Sequence, residues 1–302
     1  MRVLCLGDIQ WELPGGSGDD PTTDTDPAII RRFAQAGIGA VDPDLVLFSG
    51  DVINDGMNQE EHVSEFLALL EFLEAEAIQS ATIPGNHDEY SNYDAVVEKI
   101  EELEHATELS ARVATLEGLT TAGIPYSYTN DLRRTRSISE EFPDHYDILL
   151  AHAARARRIW LFDVDADYIV TGHYSRELFE LDGTVFASMG AFPGGIVVID
   201  TTAETVEYRQ HVESDGAFHL HLTRADVGDG LEWTVDPPTE DNPFVRDLRE
   251  SSYKDLVLQL QAAKARAVDA DAATTKDIVE ELRAANVPKK HIREYIGRYD
   301  FL

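Results

Sequence analysis

The chain of 302 residues is long enough for one large domain, or one domain with an appendage, and its formal charge of −32, with six lysines among 25 basic residues, gives it a strongly acidic, Lys-poor surface. No stretch is apolar for long enough to span a bilayer, no charged-then-apolar leader follows Met1, and a single cysteine, Cys5, excludes an intramolecular disulfide framework. These features predict a cytoplasmic, halophilic protein with no membrane partner; salt would screen its self-repulsion, and local arginine clusters could still meet phosphates.

In chain order, five short apolar runs each end in a residue that can bind a metal. Arg2–Gly7 runs into Asp8 and Leu45–Gly50 into Asp51. Ala81–Gly85 runs into Asn86-His87-Asp88, Asp147–Ala151 into His152, and Asp167–Gly172 into His173. Runs of four to six apolar or β-branched residues bounded by Gly or Pro read as buried strands. In an open α/β sheet, chemistry collects beyond the carboxyl ends of the strands, so five such endings can converge on one point.

The connecting segments fit crossover helices. Pro14–Asp26 is a Gly- and Asp-rich loop, either a surface loop or a flap over the site, without the Gly-Lys-Ser/Thr ending of a phosphate-cradling loop. Asp26-Pro27 opens a helix predicted to end near Gln35. Phe66, Leu69, Leu70 and Leu73 place a second helix over Glu61–Ala77, with His62 a solvated residue of its first turn. Val96, Val97, Ile100 and Leu103 place a third over Tyr93–Leu109, with His105 read in the same way. Gly118–Tyr128 reads as strand and turn. Asp131–Phe142 is a loop carrying Arg133, Arg134 and Arg136, and a second group, Arg155, Arg157 and Arg158, follows His152. Both groups either balance acidic neighbours or bind a substrate phosphate, for which arginine is suited.

Beyond His173, the segments around Val185–Met189, Ile196–Ile199, Thr205–Val212 and Phe218–Leu222 predict antiparallel strands of a second sheet, with His211, His219 and His221 as surface residues. The acidic, Pro-containing stretch 226–250 reads as a linker. Residues 251–302 read as a helical appendage, with Leu256, Leu260, Ile278, Leu282, Ile292 and Ile296 among its apolar positions. That appendage could dock on residues 1–225, pair with a second copy, or bind a protein partner.

The ordered series Gly50-Asp51, Gly85-Asn86-His87-Asp88, His152 and Gly172-His173 resembles the calcineurin-like metallophosphoesterase superfamily over about residues 1–200. The resemblance implies an α/β fold, a four-layer sandwich of two mixed β-sheets flanked by helices. It implies divalent metal cofactors, manganese foremost with iron, zinc or nickel as alternatives, at one or two ions per chain. Asp51 would bridge two metals, and Asn86, His152 and His173 would complete one site. His87 would protonate the leaving group, and Asp88 would fix the His87 tautomer.

The other metal departs from the family pattern. Asp-x-His at the first strand is here Asp8-Ile9-Gln10, and Gly-His-x-His at the last is Gly172-His173-Tyr174-Ser175. Asp8, the shared Asp51 and the Gln10 carbonyl remain for it, and Asn54 stands where a second acidic residue is common. A neutral amide is a poorer ligand than imidazole for a transition metal, so one site should bind tightly and the other weakly or not at all. Two metals holding a hydroxide would hydrolyse a phosphate ester, here a phosphodiester such as a nucleic acid or nucleotide, with Arg155, Arg157 and Arg158 on the substrate phosphate. The alternative is a degenerate fold that serves as a scaffold or interaction subunit.

Overall fold

The structure is a computed structural model and describes residues 1–9, 27–53, 59–129, 143, 145–153, 165–173, 177–181, 184–189, 195–214, 217–226 and 231–235. Two mixed sheets face each other, with helices flanking them. The first begins with β1 (Arg2–Leu6), β2 (Leu45–Phe48), β3 (Gln79–Thr82) and β4 (Ala106–Glu108), all parallel. On the other side of β1 it continues antiparallel through β11 (Gly195–Asp200), β12 (Thr205–Ser214), β13 (Ala217–Asp226) and β14 (Leu231–Val235). The second sheet has the order β5 (Arg112–Leu116), β6 (Leu119–Ile124), β7 (His145–Ala153), β8 (Asp165–Gly172), β10 (Thr184–Ser188) and β9 (Glu177–Leu181).

Alternation along the strands divides the core in two. Val3, Cys5, Leu45, Leu47, Val197 and Ile199 point between the sheets and meet Ile148, Leu150 and Val170. Leu4, Leu6, Val46 and Phe48 point to the other face, onto α1 (Ala28–Val41), α2 (Gln59–Ala75) and, after the single turn α3 (Asn86–Glu89), α4 (Asp94–Ile100). A strand buried on both faces needs a continuous apolar run, which is why these strands read so plainly in the sequence. Cys5 lies wholly inside this core, where burial pushes its thiol far up, so it is an inert structural residue.

Several elements differ from expectation. Helix α1 continues past Gln35 to Val41, closed by Asp42 in a left-handed conformation (φ 52°) whose N–H donates to the Ile38 carbonyl. Gly37 sits against Leu4, and burial of Ile38 and Val41 outweighs the helix cost of Gly37 and Gly39. The helix expected over Tyr93–Leu109 ends at Ile100. Residues 106–108 become β4 because pairing with β3 is available to them.

The strands after His173 do not form a second sheet of their own. β10 joins β8, and β11 to β14 extend the first sheet from β1. β14 lies in the stretch read as linker and pairs with β13. His62 is fully buried on α2 rather than solvated. His105 precedes β4, within 3.2 Å of the Glu74 carboxylate. No helix among the described residues is long and apolar enough to cross a membrane. The flap stretch 14–26, the first arginine group, the helical appendage and the side chains of His211, His219 and His221 lie outside the described residues.

Candidate metal centre

The chain just beyond the carboxyl ends of β1, β2, β3 and β8, with the end of β7, brings Asp8, Asp51, Asn86, His173 and His152 to one place. A ligand atom from each of Asp8, Asp51, His152 and His173 lies within 4.8 Å of the others. The backbone bends sharply to bring them there: Asp8 (φ 53°), Asp51 (φ 52°) and His173 (φ 63°) all adopt left-handed conformations. Such strain in non-glycine residues persists where the surroundings over-determine it, commonly at functional sites.

The imidazole of His152 is the hub. It is fully buried, and its Nδ1 lies 2.9 Å from the Ser49 carbonyl oxygen. A carbonyl only accepts, so Nδ1 carries the proton and Nε2 is turned into the cleft. Nε2 lies 3.1 Å from Asn86 Oδ1, 3.1 Å from His173 Nδ1 and 3.3 Å from Asp51 Oδ2. Two imidazoles, an amide oxygen and a carboxylate around one point form a donor set suited to a divalent transition metal.

Asp8 is held differently. Its Oδ2 accepts the His173 backbone N–H at 2.8 Å, while Oδ1, also buried, has no hydrogen-bond partner among the described residues. Burial and the nearby Asp51 charge push its carboxyl well up, opposed by His152.

The buried carboxylate of Asp88 accepts four backbone N–H groups, a part the sequence does not disclose. Oδ2 takes those of Asp51 (2.6 Å) and Gly85 (2.8 Å), and Oδ1 takes those of Val52 (3.1 Å) and Ile53 (2.7 Å). It therefore braces the turn that aims Asp51. Burial and the Asp51 charge push it up to about 7, against the pull of the Gly85 and Ile53 N–H groups. His87 is half-buried, and its backbone N–H donates to Asp51 Oδ1 at 2.9 Å.

Two glycines permit this approach of loops. Gly50 has φ 95°, and a Cβ there would stand 2.7 Å from Gly85 Cα and 2.9 Å from His152 Nδ1. A Cβ on Gly85 would fall inside contact distance of both Asp51 Oδ1 and its backbone nitrogen. Gly85→Ala should destabilise the protein by about 2 kcal/mol or displace Asp51 by a comparable strain. Thermal unfolding together with metal titration checks this, and a protein unchanged in both would contradict the packing described.

Tyr126 was not anticipated. It starts α5 (Tyr126–Thr129) directly after β6, and its ring centre lies 5.7 Å from those of both His152 and His173. Its backbone N–H donates to the Pro84 carbonyl, tying this wall of the cleft to the loop that carries Asn86. The only sequence signal was a sixth strand ending, Ile124-Pro125-Tyr126, which lacks a metal-binding residue type. Gln10, Asn54, Arg155, Arg157 and Arg158 lie outside the described residues.

His152 gives the centre a pH dependence. Burial disfavours the imidazolium, but the Asp51 carboxylate outweighs it, with Asp8 and the Ser49 carbonyl adding, and the ring rises from 6.5 to about 9. Its charged form thus stabilises the metal-free fold fully below about pH 6.5, and that contribution is lost as pH rises through about 9. A metal needs Nε2 unprotonated, so its affinity climbs over the same window. The gain in Tm on adding a divalent transition metal should widen from pH 6.5 to about 9 and then level off. A gain independent of pH would contradict this.

Two facing sheets, with carboxylate, amide and imidazole donors gathered at their strand ends, define a two-sheet α/β sandwich with a candidate divalent-metal centre. The chain belongs to the calcineurin-like phosphoesterase family, whose sequence model matches residues 1–176, more than half of its length. Among solved structures, TT1561 of Thermus thermophilus overlays with a TM-score of 0.46 at 11% identity, covering 69% of this chain and 98% of that one. A novel archaeal phosphodiesterase gives 0.43 at 15% identity, covering 70% and 100%. Vacuolar protein sorting 29 from Cryptosporidium parvum gives 0.37 at 16%, covering 78% and 97%. A search of curated proteins finds no significant match.

Proposed function

We propose that this chain is a metal-dependent phosphodiesterase acting on a nucleic acid or nucleotide. The observation that carries the reading is the convergence of Asn86 Oδ1, His173 Nδ1 and Asp51 Oδ2 within 3.1–3.3 Å of His152 Nε2, whose tautomer the Ser49 carbonyl fixes. Asp51, Asn86, His152 and His173 would hold one divalent ion, manganese by preference, and Asp8 with Asp51 would face a second. When bound, such ions neutralise charge on the phosphoryl group and lower the pKa of a bound water.

The protein's own residues then have these parts. Asp88 holds the Asp51 turn through four N–H groups, and Tyr126 walls the cleft beside the two imidazoles. A water oxygen attacks phosphorus as the bond to the leaving oxygen breaks. His87, on the turn next to Asn86, gives its proton to that leaving oxygen as general acid. A diester carries one negative charge where a monoester near neutral pH carries two. A centre with fewer imidazole ligands on the Asp8 side is better matched to the diester.

Arg155, Arg157 and Arg158 follow His152 by three, five and six positions, and we place them on the phosphates flanking the scissile bond. Changing all three to Ala should weaken binding of single-stranded DNA and reduce the slope of log affinity against log salt by about two. An unchanged slope would remove nucleic acid from the proposal. The acidic, Lys-poor composition suits a cytoplasmic protein in high salt, so assays belong there.

The class itself is tested by comparing hydrolysis of an aryl phosphodiester and an aryl phosphomonoester by the chelator-stripped protein with Mn2+ restored. Faster diester turnover is expected, and a strong monoester preference would contradict it. The Gln and Ser at positions 10 and 175 motivate a second reading, a scaffold without turnover. It would be favoured by an inactive protein that binds a partner through residues 245–302.

A further inference from the structure

Among the described residues, Tyr90 is the one large hydrophobic side chain left exposed, at 73%. A lone aromatic ring on a surface is ordinary, and what marks this one is its place. It closes the single turn α3, three positions after His87 and four after Asn86. Residues at those spacings are neighbours on a helix surface, with Cβ atoms about 5–6 Å apart.

The backbone beneath the ring is pinned. The Glu89 N–H donates to the Gly85 carbonyl at 3.1 Å, and the Ser91 N–H and hydroxyl both donate to the Asp88 carbonyl, at 3.0 and 2.7 Å. Glu89 Oε1 accepts the Ser127 N–H at 2.8 Å, which clips α3 to α5, and the Tyr126 N–H donates to the Pro84 carbonyl at 3.2 Å. Tyr90 and Tyr126 therefore belong to one rim, whose inner member has its ring centre 5.7 Å from both imidazoles of the centre. A tyrosine on a fixed backbone offers a broad flat surface and orders only two side-chain torsions on binding.

The chemistry of that surface selects its ligand. A nucleotide places a sugar and then a flat base beside each phosphate, and every base has a face that stacks on an aromatic ring. The formal charge of −32 repels a nucleotide at long range, but a ring contact is uncharged, so neither that field nor its screening by salt acts on it.

We propose that Tyr90 stacks the nucleobase on the leaving side of the scissile phosphate, so that the alcohol released is a nucleoside. The inference rests on the phosphodiesterase reading above, in which His87 serves the leaving oxygen, and it names the leaving group. Hydrolysis consumes one water and yields a nucleoside and a nucleotide monoester. The broken P–O bond leaves its electron pair on the nucleoside oxygen, which takes a proton from His87, and the proton released by the attacking water restores His87.

The test uses the full-length protein with Mn2+ in high salt and three dinucleoside monophosphates. One is complete, one lacks the base on the nucleoside that is released, and one lacks the base on the side that keeps the phosphate; chromatography of the products identifies the two sides. Removing the base on the released side should raise KM about ten-fold with kcat little changed, and removing the other should not. Tyr90→Ala should raise KM for the complete substrate by a similar factor and cease to distinguish it from the first abasic one, whereas Tyr90→Phe should keep the distinction. The uncharged deoxyribonucleoside of 2-aminopurine, whose emission drops on stacking, reads the contact without turnover. Metal-free protein should quench it, with binding about ten-fold weaker in Tyr90→Ala than in Tyr90→Phe.

Turnover indifferent to the released base, or quenching that Tyr90→Ala leaves unchanged, would overturn the stacking role alone. No turnover of any diester, with quenching that still depends on Tyr90, would overturn the phosphodiesterase reading while upholding the stacking. Loss of both would overturn both.

Discussion

Asp51→Asn should lower the rate of phosphodiester hydrolysis by about 10^3-fold or more while leaving the metal-free fold within about 1 kcal/mol of its original stability. Asp51 Oδ2 lies 3.3 Å from His152 Nε2, and in the function proposed above Asp51 is the carboxylate that both ions would share. Removing its charge takes the bridging anion from any bound ion. The metal-free fold loses the attraction of His152 but also two repulsions, because Asp51 raises the carboxyl pKa of both Asp8 and Asp88. Asn also retains an oxygen to accept the His87 backbone N–H. Tm with chelator should therefore barely move, and the rise in Tm on adding Mn2+ should disappear. An undiminished rate would mean that the hydrolysis came from another protein in the preparation.

Asp88→Asn should do the opposite, destabilising the metal-free fold at pH 8 by about 3 kcal/mol. All four N–H groups held by Asp88 belong to backbone that cannot turn elsewhere, and both oxygens are shared between two donors. Asn replaces one oxygen with a donor, so two backbone N–H groups lose their acceptor and face another N–H. The pH matters because the carboxyl is pushed up to about 7. Above that pH the group is ionised in both the native and the unfolded protein, and as pH falls below it the native state binds a proton more tightly than the unfolded chain, so the difference from Asn, which does not titrate, grows. Urea unfolding at pH 8 and pH 5.5 measures this, with a larger loss expected at the lower pH, where the native protein holds the Asp88 proton and the unfolded chain does not. A loss equal at both would mean that the native Asp88 carboxyl is already ionised at pH 5.5 and is not pushed up to about 7.

Strand ends were legible in the sequence because their apolar runs are short, continuous and closed by polar residues, a pattern that burial on both sheet faces imposes. The gathering of Asp8, Asp51, Asn86, His152 and His173 followed from it. What could not be read depends on partners remote in the chain. Whether 106–108 is helix or strand is decided by β3, some 25 residues away. The placement of β11 beside β1 is decided by a register joining Val3 to Ile199.

Helix α1 runs past two glycines because Leu4 is there to receive the nearer one. The four partners of Asp88 could not be read because they are backbone N–H groups, which every residue but proline has and no motif records. The Ser49 carbonyl that sets the His152 tautomer is hidden for the same reason.

The most direct test of the central claim is the turnover of an aryl phosphodiester by one preparation in high salt as it is stripped with chelator and then reloaded with Mn2+, run beside His152→Ala. The account predicts activity lost on stripping, recovered on reloading, and absent from His152→Ala under both conditions. Turnover that survives stripping, or a His152→Ala protein that regains it with Mn2+, would contradict a metal centre built on His152 and with it the proposed function.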